Sequence, residues 1–265
     1  MKLFTLSFLL SILFSSVASC DAENVEYSRL FVCTDSLKEP YGLCTHLSRK
    51  GVKYEFNTRS HEINMIGSVG ANWIRTDFDR GRFINKHVNG RLDFTHFDKV
   101  LGTISTTEIK TLGIISKLTD MSGLSDWRKY VQQIAKRYKT VSHWEIINEA
   151  DAKYEGNGLF VSDYVKLLKE GSLAVKANHK DSKVLLSGLS HATRSFLDSV
   201  LDSGGAAFFD IMNVHYYSNR RREPEELFDF YRLLSVKMSK YNVEKPVWLT
   251  ETGCTSALNW ATEET

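Results

Sequence analysis

The chain has 265 residues, of which 42% are hydrophobic, 25% charged and 12% aromatic, and this composition excludes disordered, fibrous and low-complexity proteins. It contains 34 Lys and Arg against 32 Asp and Glu, which gives a formal net charge of +2. Because this charge is small and no basic stripe is interleaved with aromatic residues, we expect no nucleic-acid partner. The length allows one large α/β domain, and three prolines and 16 glycines leave no Pro/Gly-rich linker.

The N-terminus has the pattern of a signal peptide over residues 1–19. After a short basic start, the run from Leu3 to Val17 is apolar or hydroxylic throughout and is too short to span a bilayer comfortably. The next residues, Ala18, Ser19 and Cys20, resemble the end of the lipobox of bacterial lipoproteins, whose cysteine is lipidated. We therefore predict an exported lipoprotein of the bacterial cell envelope (outer membrane or periplasm), anchored to the membrane through Cys20. Cleavage after Ala18, which would release a soluble protein, is the alternative.

Residues 20–38 form a polar lead-in, and three cysteines follow Cys20 in the chain. Cys33, Cys44 and Cys254 have neither CxxC nor Cys/His metal spacing. Three cysteines can form one disulfide and leave one thiol free, or they can all remain as buried thiols. We favour buried thiols, since free cysteine packs as a small hydrophobic residue.

From residue 39 onward, short apolar runs alternate with longer segments of helical spacing. Gly70 is placed to end the first helix, Ser162 to cap a long helix and Pro224 to begin another. The predicted strands are 41–47, 71–78, 109–116, 141–149, 183–189, 208–215 and 245–251, and the predicted helices are 62–69, 126–138, 162–178, 195–203 and 225–240.

This alternation predicts an α/β fold with a parallel sheet. Neither GxGxxG nor a Walker-type motif occurs, so we predict a (β/α)8 TIM barrel rather than a nucleotide-binding sheet. About seven of its eight strands are present in residues 39–265. The final residues look like the first turn of a helix, so we expect a chain truncated before strand eight, with strands one and seven not paired to each other.

Polar residues gather at the carboxyl ends of the predicted strands, where a barrel carries its active site. Such groups at the ends of apolar strands are costly unless they line a site. They are His46, Arg75, Asn148, Glu149, His215, Tyr216, Tyr217 and Glu251.

Two of these residues, Glu149 and Glu251, end strands four and seven and should converge across the barrel mouth. A pair of carboxyl groups about 5–5.5 Å apart performs retaining glycoside hydrolysis, with one as nucleophile and the other as acid and then base. Arg75 is placed to keep the nucleophile ionised, although it could instead pair with Asp77 or Asp79. Glu145 lies earlier in strand four, nearer the barrel floor, and is not expected to be the acid.

Four segments together resemble the clan A glycoside hydrolases, closest to families 39 and 5. The resemblance covers about residues 40–256 and has two departures: Ala150 stands where the family usually has proline, and Arg80 where an aromatic residue is common. The resembling segments are Gly70–Phe78 around Arg75, Trp144–Glu149 with its Asn-Glu pair, His215-Tyr216-Tyr217, and Trp248–Gly253 around Glu251.

The resemblance implies a retaining glycosidase with Glu149 as acid/base and Glu251 as nucleophile. Tyr217 would hydrogen-bond the nucleophile, and His215 would hold substrate or a carboxylate. The substrate would be a plant or microbial polysaccharide or oligosaccharide. Arg75, Asn148 and His46 complete the expected substrate-binding set, in which Asn148 grips a sugar 2-hydroxyl.

No cofactor and no metal are expected, and two alternatives stay open. A metal-dependent barrel hydrolase or isomerase would need clustered ligands, such as a His-x-His on strand one, where the chain has only His46. A glycan-binding surface lipoprotein without turnover is the other alternative, which the expected truncation favours and the two glutamates oppose.

Overall fold

Helices and strands alternate along the chain in the computed structural model, which describes residues 8–9, 41–45, 47, 56–78, 92–115, 123–152, 159–190, 192, 194–217 and 224–253. The strands are β1 (Phe8–Leu9), β2 (Gly42–Cys44), β3 (Trp73–Phe78), β4 (Lys110–Ile115), β5 (His143–Ile146), β6 (Lys183–Leu185), β7 (Met212–Tyr217) and β8 (Val247–Gly253). The helices are α1 (Phe56–Ser68), α2 (Thr95–Ile104), α3 (Leu124–Arg137), α4 (Val161–Asn178), α5 (Ser195–Asp202) and α6 (Pro224–Lys240), and a 3₁₀ turn, Gly205–Phe208, precedes β7.

Strands β2 to β6 lie side by side in chain order, and each neighbouring pair is parallel. Strands β7 and β8 form a second parallel pair. Single parallel bridges, Leu185 with Ile211 and Leu189 with Val214, join the two groups. Successive parallel strands joined by helices are the arrangement of a (β/α)8 barrel, and the described residues form part of one.

The first strand, β1, pairs antiparallel with β2 and places Phe8 opposite Leu43. It falls within the predicted signal peptide, and the removal of that segment stays a prediction. Within the described residues, backbone pairing joins β2 to β1 and β3 and not to β8. The lead-in at 20–38 lies outside these residues, and the missing eighth strand stays a prediction.

The outward faces of the strands form the main core with the helices. On β3 and β5, the outward side chains include Phe78 and Trp144, whose rings meet edge to face with centroids 4.9 Å apart. A Cβ on Gly113 would come within 2.7 Å of the Trp144 ring, so only glycine lets β4 lie against it. Trp127 and Tyr130 of α3 are buried in this core, as their helical spacing predicts.

The inward faces close the amino-terminal end of the barrel with apolar and aromatic side chains. His143 stacks on Trp248 with ring centroids 5.0 Å apart, and both rings meet Trp73 edge to face. Beside them lies a small buried cluster made of Leu112, Leu185 and Ile211. This packing forms a floor, and the polar side chains of the interior lie on its carboxyl-terminal side.

The element boundaries differ from the predicted ones at several points. Helix α2 was not predicted, although Phe97, Val100, Leu101 and Ile104 recur at helical spacing and are buried. Helix α4 begins at Val161, so the predicted cap Ser162 lies inside its first turn. Gly70 follows α1 with φ 77° and ends it as predicted, and α6 begins at Pro224. In the described part of the chain, no helix has the length and apolar character to cross a membrane.

The sixth predicted strand also moves along the chain. The prediction ran from 208 to 215, whereas Phe208 belongs to the 3₁₀ turn and β7 runs from Met212 to Tyr217. The shift brings Tyr217, which we expected just beyond the strand, into its last position.

The partly buried imidazole of His143 in the barrel floor predicts a pH-dependent stability. Burial, together with the charges of Lys183 and Lys110, lowers the pKa of His143 from 6.5 to about 4. Between these pH values the unfolded chain binds a proton that the folded chain does not, so stability falls as the pH is lowered through this window. We expect wild type to lose about 2–3 kcal/mol more than His143→Phe between pH 6.5 and 4, measured by urea unfolding. An equal fall in the free energy of unfolding with pH for the two proteins would contradict the lowered pKa of His143.

Candidate active site

Two residues after β5 adopt left-handed backbone conformations and bring an amide and a carboxylate to the barrel mouth. Strand β5 ends at Ile146, three residues before the predicted end at Glu149. Ile147 has φ 68° and Glu149 has φ 43°, conformations that cost non-glycine residues of order 1–2 kcal/mol. Between them, Asn148 makes a parallel bridge to Gly188. The strained turn thus orients both Asn148 and Glu149.

An irregularity in β8 explains how Glu251 faces inward. Val214 pairs with Leu249, but the next residue of β7, His215, pairs with Glu251, so β8 holds one extra residue, Thr250. Regular alternation would put Glu251 on the outer face with Leu249, and the bulge reverses this. The Thr250 hydroxyl donates to Asn213 Oδ1 at 2.6 Å inside the barrel, which ties the bulge to β7.

Arg75 lies at the centre of the site, and its side chain is only 2% exposed. Its Nε and Nη2 donate to the two oxygens of Glu145 at 2.7 and 2.9 Å, a two-point contact that fixes the guanidinium plane. Nη2 also donates to Asn148 Oδ1 at 2.6 Å, and Nη1 donates to Glu251 Oε1 and contacts Cys44 Sγ at 3.1 Å. Burial opposes the Arg75 charge, but Glu145, Cys44 and Glu251 outweigh it and raise the pKa of Arg75.

His215 connects the arginine to the second carboxylate. Its Nδ1 lies 2.9 Å from Glu149 Oε1 and its Nε2 lies 3.4 Å from Arg75 Nη2. Both hydrogens of that Nη2 already go to Glu145 and Asn148, and a cation facing Nε2 favours the lone pair there. We therefore assign the hydrogen of the neutral ring to Nδ1, which makes His215 a donor to Glu149.

The two carboxylates at the mouth have different surroundings. Burial alone would raise the pKa of Glu251, but the charge of Arg75 and the hydrogen bonds from Tyr217 and Arg75 lower it to about 2. Tyr217 donates its hydroxyl to Glu251 Oε2 at 2.7 Å, and burial and the Glu251 charge raise the pKa of Tyr217, so it stays a donor. Glu251 is thus an ionised carboxylate held by two side chains.

The ligand atoms of Glu149, His215 and Glu251 lie within 4.8 Å of one another. Among the described residues, this is the group with suitable atoms for a divalent cation. Each of the three already bonds another side chain of the site, and the Arg75 cation lies against Glu251 and His215. The same closeness means that the two carboxylates can act on one bond.

The structure brings six predicted site residues together around the mouth: Arg75, Asn148, Glu149, His215, Tyr217 and Glu251. His46 lies outside the described residues, as do Cys20, Cys33 and Cys254, so their predicted roles are unchanged. Cys44 is a free thiol, and its burial raises the pKa to about 11 despite the Arg75 charge. Arg75 forms ion pairs with Glu145 and Glu251, and Asp79, one of the two alternative partners that we considered, lies outside the described residues.

Sequence reasoning missed the part that Glu145 and Cys44 take in the site. Glu145 was expected nearer the barrel floor, yet it is fully buried and both of its carboxylate oxygens accept hydrogen bonds from Arg75. A signal was present, because a glutamate between Trp144 and Ile146 in an apolar strand must find a buried cation. Cys44 gave no such signal, since a thiol in a strand is usually packing alone.

Comparison with known proteins gave structural matches only, since no family model and no curated protein matches the sequence. A family 39 glycoside hydrolase from Bacteroides cellulosilyticus superposes with TM-score 0.55 at 21% identity, covering 68% of this chain and 38% of that chain. A family 39 β-xylosidase from Caulobacter crescentus gives TM-score 0.60 at 16% identity, over 82% of this chain and 54% of that one. The chain shares the (β/α) barrel fold of these structures.

A third structure with this barrel is the endo-1,4-β-mannanase from Rhizomucor miehei, with TM-score 0.56 at 13% identity over 78% of this chain and 75% of that chain. The chain spans 38% and 54% of the two family 39 proteins. The matches confirm the barrel fold that the alternation of strands and helices in the sequence predicts.

The buried ion pair predicts a large cost for removing its cation. We expect Arg75→Met to lower the free energy of unfolding by about 3–5 kcal/mol, because Glu145 and Glu251 would lose their counter-ion inside the barrel. Arg137→Met is the matched control, since Arg137 also holds a carboxylate, Asp98, through two hydrogen bonds, but on the surface. That variant should cost about 1 kcal/mol or less by urea unfolding. Equal costs for the two variants would contradict the buried network.

Proposed function

We propose that the chain is a retaining glycoside hydrolase that cleaves O-glycosidic bonds in plant or microbial polysaccharides or oligosaccharides. The observation that carries this proposal is the pair of carboxylates at the barrel mouth, with oxygens within 4.8 Å of each other. Inverting enzymes keep their carboxyl groups about 6.5–9.5 Å apart to admit a water, whereas retaining enzymes keep them about 5–5.5 Å apart.

The first step forms a covalent bond between enzyme and sugar. Glu251 attacks the anomeric carbon with a carboxylate oxygen while the carboxylic acid of Glu149 gives its proton to the departing oxygen. The bond between the anomeric carbon and that oxygen breaks, the alcohol leaves, and the sugar remains as an ester of Glu251.

The second step restores the enzyme. Glu149, now a carboxylate, takes a proton from a water molecule whose oxygen attacks the anomeric carbon. The ester bond breaks, Glu251 leaves as a carboxylate, and the sugar departs with its original anomeric configuration. His215, as the Nδ1 donor, holds the carboxylate form of Glu149 in place.

The surroundings of the two carboxylates support this division of roles. A nucleophile must be ionised, and the Arg75 cation with the Tyr217 hydroxyl keeps the pKa of Glu251 at about 2. An acid/base must gain and lose a proton, and Glu149 has the imidazole of His215 as its partner in place of a direct arginine contact.

Asn148 is the proposed substrate-binding amide. Its Oδ1 accepts from Arg75, which can only donate, so the amide nitrogen is left to donate to a sugar hydroxyl. A hydrogen bond to the 2-hydroxyl that strengthens in the transition state lowers the barrier for the chemical step. Tyr217, half-exposed at the mouth, adds an aromatic edge beside the sugar site.

The proposed substrates are β-linked glycosides. Two of the similar structures are a β-xylosidase and an endo-1,4-β-mannanase, and a third is an exo-β-1,4-mannosidase. These share an attack on an equatorial β-linkage and differ in the sugar. Glycan partners outside the cell are consistent with export and with a lipid anchor at Cys20, which we propose from the sequence alone.

Substitution of each glutamate tests the function. Glu251→Gln keeps the shape and removes the nucleophile, so turnover of aryl β-glycosides should fall by a factor of ~10⁴ or more for every leaving group, with the fold unchanged by circular dichroism. Glu149→Gln should spare the first step for a nitrophenolate leaving group, which needs no proton, and slow it by a factor of ~10²–10⁴ for a methyl glycoside.

The matched control is Glu108→Gln, the same change at an exposed residue that precedes β4 at the floor end of the barrel. It should hydrolyse all substrates at the wild-type rate. Wild-type rates in Glu251→Gln would contradict the nucleophile assignment. Glycan binding by a folded wild-type chain that shows no turnover would instead favour a glycan-binding lipoprotein.

A further inference from the structure

Glu145 is a fully buried carboxylate whose two oxygens are both occupied. Oε2 accepts from Arg75 Nε at 2.7 Å, and Oε1 accepts from Arg75 Nη2 at 2.9 Å and from the Gly188 backbone N–H at 3.0 Å. The side chain has no exposed surface, so it touches no substrate. Its carboxylate meets the edge of the guanidinium that includes Nε, and Nη1 of the same group donates to Glu251.

Gly188 serves this arrangement in two ways. Its N–H fixes Glu145, and its missing side chain makes room for His215. A Cβ on Gly188 would lie 2.0 Å from His215 Nε2, far inside van der Waals contact. The same residue bridges to Asn148. Gly188 therefore contacts both Glu145, which holds the arginine beside Glu251, and His215, which holds Glu149.

We propose that Glu145, held by Gly188, is a positioning residue that orients Arg75 and offsets its charge, and so sets the reactivity of Glu251. The expected effect on catalysis rests on the proposed function. The expected effect on the charge around Arg75 rests on geometry alone. With Glu145 in place, the guanidinium cation is shared between two carboxylates. Without it, the full charge falls on Glu251, whose carboxylate is then bound more tightly and attacks more slowly.

The reactivity of the Cys44 thiol reports on the charge balance between Glu145 and Arg75, and it can be measured without substrate turnover. Its Sγ lies 3.1 Å from Arg75 Nη1, and burial raises the pKa of the thiol to about 11, with Glu145 among the charges that raise it and Arg75 lowering it. Loss of the Glu145 charge should therefore lower the Cys44 pKa. Alkylation by iodoacetamide at pH 9, followed by mass spectrometry of the Cys44 peptide, measures the change.

In the first experiment, we expect Glu145→Gln to speed Cys44 alkylation roughly threefold, since about tenfold more thiolate is partly offset by its lower nucleophilicity. The matched control is Asp98→Asn, which removes a carboxylate that also holds an arginine by two hydrogen bonds, at the surface. It should leave the alkylation rate unchanged. An unchanged rate in folded Glu145→Gln would overturn the electrostatic part of the proposal.

In the second experiment, kinetics on an aryl β-glycoside separate positioning from a merely structural role. Glu145→Gln should lower kcat roughly 10- to 100-fold per folded molecule with KM within about threefold, because the misplaced group acts on the chemical step. A proportional loss of folded protein with normal kcat would show that Glu145 is structural only, and would overturn the proposal.

Two further variants decide the question if Glu145→Gln does not fold. Glu145→Asp keeps the negative charge, but its shorter side chain moves the carboxylate away from the Arg75 guanidinium. We therefore expect kcat to fall while Cys44 alkylation stays within about twofold of wild type. Gly188→Ala should lower kcat roughly 10- to 100-fold by displacing His215, whereas Gly102→Ala, in open space on α2, should not change it. Normal kcat in both Glu145→Asp and Gly188→Ala would overturn the proposal. A wild-type chain that cleaves no glycoside would instead refute the proposed function, and the Cys44 measurement would still test Glu145.

Discussion

A buried arginine is the constraint on which the site depends. Removing a guanidinium from water is costly unless its hydrogens find partners and its charge finds counter-ions. The partners of Arg75 come from three other strands: Glu145 on β5, Glu251 on β8 and Cys44 on β2. Because these strands must all approach one planar group, the arginine fixes where their carboxyl ends converge.

The same arginine makes the two mouth carboxylates unlike each other. Glu251 receives the cation directly, whereas Glu149 is reached only through the ring of His215. A double-displacement reaction needs this difference, since one group must remain an anion while the other exchanges a proton. Local backbone features complete the asymmetry: the bulge at Thr250 turns Glu251 inward, and left-handed backbone at Ile147 and Glu149 carries the Glu149 side chain past the end of its strand.

The alternation of strands and helices could be predicted from the sequence because each strand is an apolar run and each helix has an apolar stripe. The site residues were predictable to the extent that they follow such runs: Asn148 and Glu149 after β5, and Glu251 in β8. Helix α2 has the same apolar stripe and was missed, although its spacing was visible. The sequence therefore predicts which residues lie at the carboxyl ends of the strands, where the barrel mouth is formed.

The features of the site that the sequence did not predict depend on contacts between residues far apart in the chain. No local pattern shows that β8 contains a bulge, since Leu249, Thr250 and Glu251 read as an ordinary strand. No local pattern shows that Arg75 prefers Glu145, 70 residues away, over the nearby Asp77. Gly188 lies inside the predicted strand 183–189, and only the position of the His215 ring shows why a side chain is excluded there.

The configuration of the first sugar released tests the central claim most directly. Proton NMR of an aryl β-glycoside digested by the wild-type chain resolves the two anomers before they interconvert. The proposed double displacement, which the closeness of one oxygen of each carboxylate (within 4.8 Å) supports, releases the β-anomer first, and the α-anomer should grow only by mutarotation. Initial release of the α-anomer would mean a single displacement by water and would contradict the roles assigned to Glu149 and Glu251.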